Sequence, residues 1–157
     1  MPGDPAIALV TEASDTPVSA ELQRAYFADI ASRYPGWRPE FIPSADPAEV
    51  APPLGAWVVA YLDDQPVGCG GVKRLDDTSA ELKRIYLANA VRGRGLGRRL
   101  LEQLEQHARE LGYERLCLDT GDLQPEALGL FRSAGYEHIP DYNGNTWATY
   151  WMAKRLA

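Results

Sequence analysis

Apolar and polar positions change period along the chain, and each change marks an element. Residues 7–10 are a short apolar run that predicts a first strand. Thr16 is an N-cap residue followed by Pro17. Leu22, Ala25, Tyr26 and Ile30 then recur at helical spacing, so a helix runs to about Arg33. Tyr34-Pro35-Gly36-Trp37-Arg38-Pro39 ends it, and proline recurs as far as Pro53, which excludes a regular core element. A loop of that length is either a lid or pocket wall, or a plain surface excursion. Residues 56–62 are β-branched and aromatic and predict a strand. Asp63-Asp64-Gln65 turns the chain into a glycine-weakened strand over 66–74. After a turn at 75–79 comes another strand over 80–87, whose alternation slips near Lys83-Arg84 as at a β-bulge.

The second half begins with Val91-Arg92-Gly93-Arg94-Gly95-Leu96-Gly97-Arg98-Arg99. Leu96, Leu100, Leu104, Ala108 and Leu111 then mark one face of a long helix, and Gly112 stands where a C-cap glycine belongs. A short buried strand over 115–119 and a helix over 125–134, with Gly135 after it, come next. Residues 136–139 begin a strand, 140–145 turn, and 146–155, with Trp147, Tyr150 and Trp151, form the last. The strands around Ile85 and Leu116 are joined by a helix and should be parallel. The pattern predicts an α/β (α+β) mixed sheet. It has six to seven mostly antiparallel strands, one parallel pair and about four flanking helices. A chain of 157 residues favours one domain, 1–157.

Charge narrows the picture. There are 22 acids against 16 bases, a net charge of −6, which argues against a nucleic-acid partner. Yet no acid stands between Glu81 and Glu102, an interval holding Lys83, Arg84, Arg92, Arg94, Arg98 and Arg99. One basic segment in an acidic chain points to one anionic ligand. Cys69 and Cys117, with His107 and His138, lack metal-ligand spacing, so no metal is expected. No apolar run is long enough to span a bilayer, and residues 1–5 carry no signal-peptide pattern. A cytoplasmic protein without a membrane partner is the expectation.

The glycine-rich stretch is the strongest local signal. Glycine lets a backbone approach a ligand closely, and a helix starting there offers unpaired N–H groups to an anion. GxGxxG fails because Arg98 occupies the third glycine position, and GxxxxGK[ST] is absent. RxxGxG is present as Arg92, Gly95 and Gly97, after a strand and opening a helix. Together with Glu81-Leu82-Lys83-Arg84-Ile85-Tyr86-Leu87, Leu118-Asp119-Thr120-Gly121, Gln124-Pro125-Glu126-Ala127, Leu130-Phe131 and Gly135-Tyr136, this resembles the GNAT superfamily of acetyl-CoA-dependent N-acetyltransferases. The likeness covers roughly residues 56–155. It implies a coenzyme pyrophosphate on the amides of Arg92, Gly93, Arg94, Gly95, Leu96 and Gly97, with Arg98 and Arg99 adding charge. It also implies that the pantetheine arm pairs with Ile85, Tyr86 and Leu87, at the parallel pair of strands, and that a backbone N–H near Leu87 polarises the thioester.

Transfer to an amine by direct attack in a ternary complex needs a base, and the thiolate needs a proton or other stabilisation. Glu81 stands where some enzymes of the family carry their base; the alternatives are amine binding or a structural pairing with Lys83 or Arg84. Many members have tyrosine where this chain has Phe131, which can pack against the coenzyme arm but has no proton to give. Tyr142 and Tyr136 are the nearest hydroxyls, Tyr136 being the better core residue. Gln124 stands where asparagine is common and either contacts the coenzyme or caps a helix. Asp119, Asp122, Glu137 and Asp141 are acids suited to a cationic acceptor, and Tyr26, Trp37 and Trp57 are aromatics that could line its pocket. The expected activity is N-acetylation of a small-molecule primary amine. The alternatives are a non-catalytic acyl-CoA-binding or regulatory domain and a protein lysine or N-terminal acetyltransferase. A sheet edge near the C-terminal strands would permit a homodimer.

Overall fold

The structure, a computed structural model, describes residues 6–41 and 45–156. Residues 1–5, on which the reading of no signal peptide rests, lie outside the described residues, as do 42–44 and 157.

Seven strands form one sheet in the order β1-β2-β3-β4-β5-β7-β6. They are β1 (Ile7–Thr11), β2 (Ala56–Leu62), β3 (Gln65–Arg74), β4 (Ser79–Leu87), β5 (Arg115–Thr120), β6 (Glu137–Ile139) and β7 (Tyr150–Arg155). All neighbours are antiparallel except β4 and β5. The helices are α1 (Pro17–Arg33), α2 (Leu96–Glu110) and α3 (Pro125–Ser133). Three α-helices therefore stand where about four were expected. Among the described residues the remaining helical content is three single 3-10 turns, at Pro39–Phe41, Pro47–Val50 and Asn89–Val91. None of the described helices is long and apolar enough to cross a membrane.

α2 lies on one face, with Leu100, Leu101, Leu104 and Ala108 fully buried against Val58, Val72 and Leu116. Each such leucine contributes about 2 kcal/mol. α3 joins this core through Phe131. α1 covers the other face, where Leu22 packs with Val50, Trp57, Val59 and Cys69. Thr16 caps α1 by accepting from the Ser19 N–H, and Trp57 Nε1 donates to Ser19 Oγ at 3.1 Å, tying the helix to β2.

Two features of β4 open the sheet. Its register against β3 slips between the pairs Cys69–Tyr86 and Gly71–Lys83, and Arg84 in the bulge takes φ 56°. Its parallel pairing with β5 covers only Ser79, Ala80 and Glu81. Beyond Glu81 the two strands diverge, and that edge of β4 has no strand partner. A bulge bends and twists its strand, which accounts for the divergence. The last strand is shorter than expected: Trp147 precedes it, in a turn where Asn145 Oδ1 accepts the Trp147 N–H at 3.0 Å.

Candidate active site

Two adjacent cavities lie where the strands diverge. The outer one, about 380 Å³, runs from the end of β4 to the start of α2. Gly95 takes φ +76° at the N-cap of α2, a left-handed conformation suited to glycine. The first helical bond is from the Arg99 N–H to the Gly95 carbonyl, so the N–H groups of the preceding turn remain for a ligand. No acid stands in that first turn. A Cβ on Gly97 would meet Leu87 Cδ1 at 3.1 Å and Leu130 Cδ2 at 3.3 Å, so the backbone approaches the cleft there without a side chain.

Ile85, Tyr86, Leu87, Arg92, Gly93, Gly95, Gly97, Arg98 and Gln124 all line this outer cleft. Leu96 does not line it: the residue is 2% exposed, in an apolar cluster. Arg94 is exposed on the loop and does not line the cleft. Arg92 braces the loop. Its Nε donates to the Leu87 carbonyl at 3.0 Å, and its guanidinium lies 3.5 Å from Asp29 and 3.9 Å from Glu126. Arg98 donates to Ser133 Oγ at 2.9 Å. Gln124 begins α3 without capping it; its Oε1 accepts from the Gly121 N–H at 3.5 Å.

The inner cavity, about 120 Å³, is built from side chains. Lys83 and Arg84 come from the bulged strand, Asp119 from β5, Tyr34 and Trp37 from the end of α1 and its sequel, and Asn145 and Trp147 from the last loop. Phe131 lies on its wall, edge-on to Tyr136 at 5.8 Å. Trp37 lines this cavity, so the proline-rich segment contributes to a pocket wall, while Phe41 stands outside it and stacks on Trp147 with ring centres 6.1 Å apart. Tyr26, Ile85, Gln124, Ala127 and Leu130 line both cavities, so the two are neighbours with a shared wall.

Glu81 and Tyr142 come together, yet neither lines either cavity. Tyr142 donates to Glu81 Oε2 at 2.6 Å, and Lys83 Nζ stands 3.4 Å from Glu81 Oε1. Asn143 Nδ2 bridges two carboxylates, donating to Glu81 Oε2 at 3.1 Å and to Asp119 Oδ2 at 2.5 Å. Its orientation is fixed by Trp151 Nε1, which donates to Asn143 Oδ1 at 2.9 Å. Asn145 Nδ2 donates to Asp119 Oδ1 at 3.3 Å. Burial, and then the nearby Glu81 charge, push the Asp119 carboxyl above the usual range, against the opposing pull of the Asn143 and Asn145 amides. Burial and the same Glu81 charge push the Tyr142 hydroxyl far up, so it keeps its proton. Tyr26, at the junction, is likewise pushed up by burial and by Asp119.

The other candidates fall elsewhere. Tyr136 donates to Glu105 Oε2 at 2.8 Å within the core. Asp122 and Glu137 are exposed outside the cavities, and Asp141 shapes the loop by accepting the Asn143 and Gly144 N–H groups. Trp57 is a core residue, 1% exposed. Asn143 and Asn145 were missed because an Asp-x-Asn-Gly-Asn run signals only a turn. Among the described residues no group of three or more His, Cys, Asp or Glu side chains could hold a metal.

A family model for the acetyltransferase (GNAT) family matches residues 19–136. The chain belongs to this family. It is 38% identical over 89 residues to the uncharacterised N-acetyltransferase YjgM of Escherichia coli K12, covering 55% of this chain and 52% of that protein. The chain thus spans about half the length of the curated relatives it matches. Its fold is similar to that of a putative acyl-CoA N-acyltransferase from Klebsiella pneumoniae (TM-score 0.75, 23% identity, 96% of this chain and 98% of the other). It is also similar to an aminoglycoside 6'-N-acetyltransferase complexed with coenzyme A (TM-score 0.72, 20% identity, 96% and 97%). The outer cleft of this GNAT chain fits such a coenzyme: a helix N-terminus without acids, a side-chain-free approach at Gly97 and an unpaired edge of β4.

Proposed function

We propose that the protein transfers an acetyl group from acetyl-CoA to the primary amine of a small molecule, by direct attack. The observation that carries this reading is the adjacency of the two cavities, which share five lining residues. The start of a helix free of acids lines the outer one, and a carboxylate with a raised pKa lies in the wall of the inner one.

The N–H groups at the start of α2 and the Arg98 guanidinium hold the pyrophosphate. Ile85, Tyr86 and Leu87 pair through their backbone with the pantetheine arm, and an N–H near Leu87 polarises the carbonyl. Acetyl-CoA supplies the thioester that the amine attacks. Asp119 is the carboxylate that meets the acceptor and takes its proton. Glu81 acts one position behind: its charge raises Asp119, while Tyr142, Lys83 and Asn143 hold its carboxylate in place. This moves the base from Glu81 alone to a Glu81–Asp119 pair. It also recasts Tyr142 as the partner of Glu81. The Tyr26 hydroxyl, placed where the two cavities meet, gives the thiolate its proton, the role Phe131 cannot fill. The small, walled inner cavity favours a small molecule over a protein lysine. Thiol release from acetyl-CoA, followed across amines, amino acids, polyamines and aminoglycosides, tests the reading. Turnover with at least one class is expected, and none with any of them would refute it.

A further inference from the structure

The inner cavity carries more positive charge than a simple amine acceptor requires. Lys83 and Arg84 both line it alongside Asp119. The Lys83 charge is matched by Glu81, 3.4 Å away. Arg84 has no such ion pair: among the described residues its direct contacts are neutral, and Asp46 and Glu49 act on it only from a distance. It donates to Gln23 Oε1, and its guanidinium carbon lies 4.9 Å from the centre of the Phe27 ring. Its Nε is buried with no hydrogen-bond acceptor. Burial lowers the Arg84 pKa, the mark of a cation removed from water without full compensation. The same residue sits at φ 56° in the bulge, a conformation that bulky side chains rarely adopt. Two destabilising features thus converge on one side chain in the acceptor wall. Arg84 lines the inner cavity and not the outer cleft, so it does not serve the pyrophosphate seat.

We propose that Arg84 is a carboxylate seat and that the acceptor is an amino acid. Its ammonium group faces Asp119, its carboxylate takes the guanidinium, and an apolar or aromatic body lies against Tyr34, Trp37 and Trp147. The planar guanidinium suits a carboxylate. Enclosure in a small cavity strengthens the contact by excluding water. This deepens the acyl-transfer reading of the same cavities and rests on it.

The test compares L-leucine, L-methionine and L-phenylalanine with their α-amides and their decarboxylated amines as acceptors. The amide's amine is less basic and more often free, so a preference for the acid does not arise from reactivity. The wild type should favour the acid in kcat/KM. Arg84→Gln should lose roughly 10- to 100-fold of that preference, mainly through the acceptor KM, with the acetyl-CoA KM unchanged. Arg84→Lys should retain part of it. Equal or better use of the amides and decarboxylated amines by the wild type would overturn the proposal, and that comparison needs no variant to fold. Calorimetry of the free amino acids into the coenzyme A-loaded protein separates the two readings. Absence of turnover with every amine refutes acyl transfer alone. Amino-acid binding that is lost in Arg84→Gln still supports the seat; absent binding, or binding equal in the two proteins, overturns it.

Discussion

In the outer cleft the groups that meet a ligand are mostly backbone, gathered from the end of β4 and the start of α2. In the inner cavity they are side chains, brought together from α1, the proline-rich segment, β4, β5, α3 and the last loop. Backbone donors at a helix start recognise any phosphate of the right shape, so the outer cleft can serve a common donor. Side chains drawn from six regions can be exchanged one at a time, so on the proposed reading the inner cavity specifies the acceptor. The division follows from the bulge: β4 leaves β5 after Glu81, Tyr86 and Leu87 line the outer cleft, and Lys83 and Arg84 line the inner cavity.

Gly97→Asp should produce the largest effect. The new side chain meets Leu87 and Leu130 and places a negative charge in the phosphate seat. Acetyl-CoA affinity should fall by at least about 100-fold in calorimetry. Retained affinity would detach the seat from the coenzyme.

Asp119→Asn should leave coenzyme affinity intact and lower kcat by about 100-fold or more. It should also stabilise the fold at neutral pH. The raised folded-state value means that this carboxyl's stabilising contribution is full below the ordinary aspartate range. That contribution is lost as pH rises through the raised value. The asparagine variant does not ionise, so its Tm should exceed that of the wild type at pH 8 and converge with it near pH 3. A variant less stable at pH 8 would contradict the electrostatic account of Asp119.

Tyr26→Phe is the mildest of the three. A thiolate is a good leaving group, so kcat should drop only about 10-fold, with little change in either KM. An unchanged kcat would remove Tyr26 as the proton donor and leave that role to water.

The same division governs what the sequence reveals. β2 has the bounds its β-branched run predicts, and the slip at Lys83-Arg84 is the bulge found. The glycine loop lies on a helix N-terminus because Gly95 and the apolar stripe of α2 are local signals. Acceptor-side contacts are not local. Glu81 looks like a base in isolation, and only the fold shows Tyr142 and Asn143 closing over it from about sixty residues away. Of four acids suited to a cationic acceptor, only Asp119 lines the cavity, because the divergence of β5 from β4 exposes it there. Trp147 fits a strand pattern, yet the Asn145 side chain holds it in a turn where Phe41 can stack.

The most direct test of the Glu81–Asp119 pair is the pH dependence of kcat/KM for the acceptor in the wild type and in Asp119→Asn. The wild type should show an acidic limb with an apparent pKa above the ordinary aspartate range, and the variant should lose that limb along with most of its rate. A limb that persists unchanged in the variant would place the base elsewhere and contradict the account.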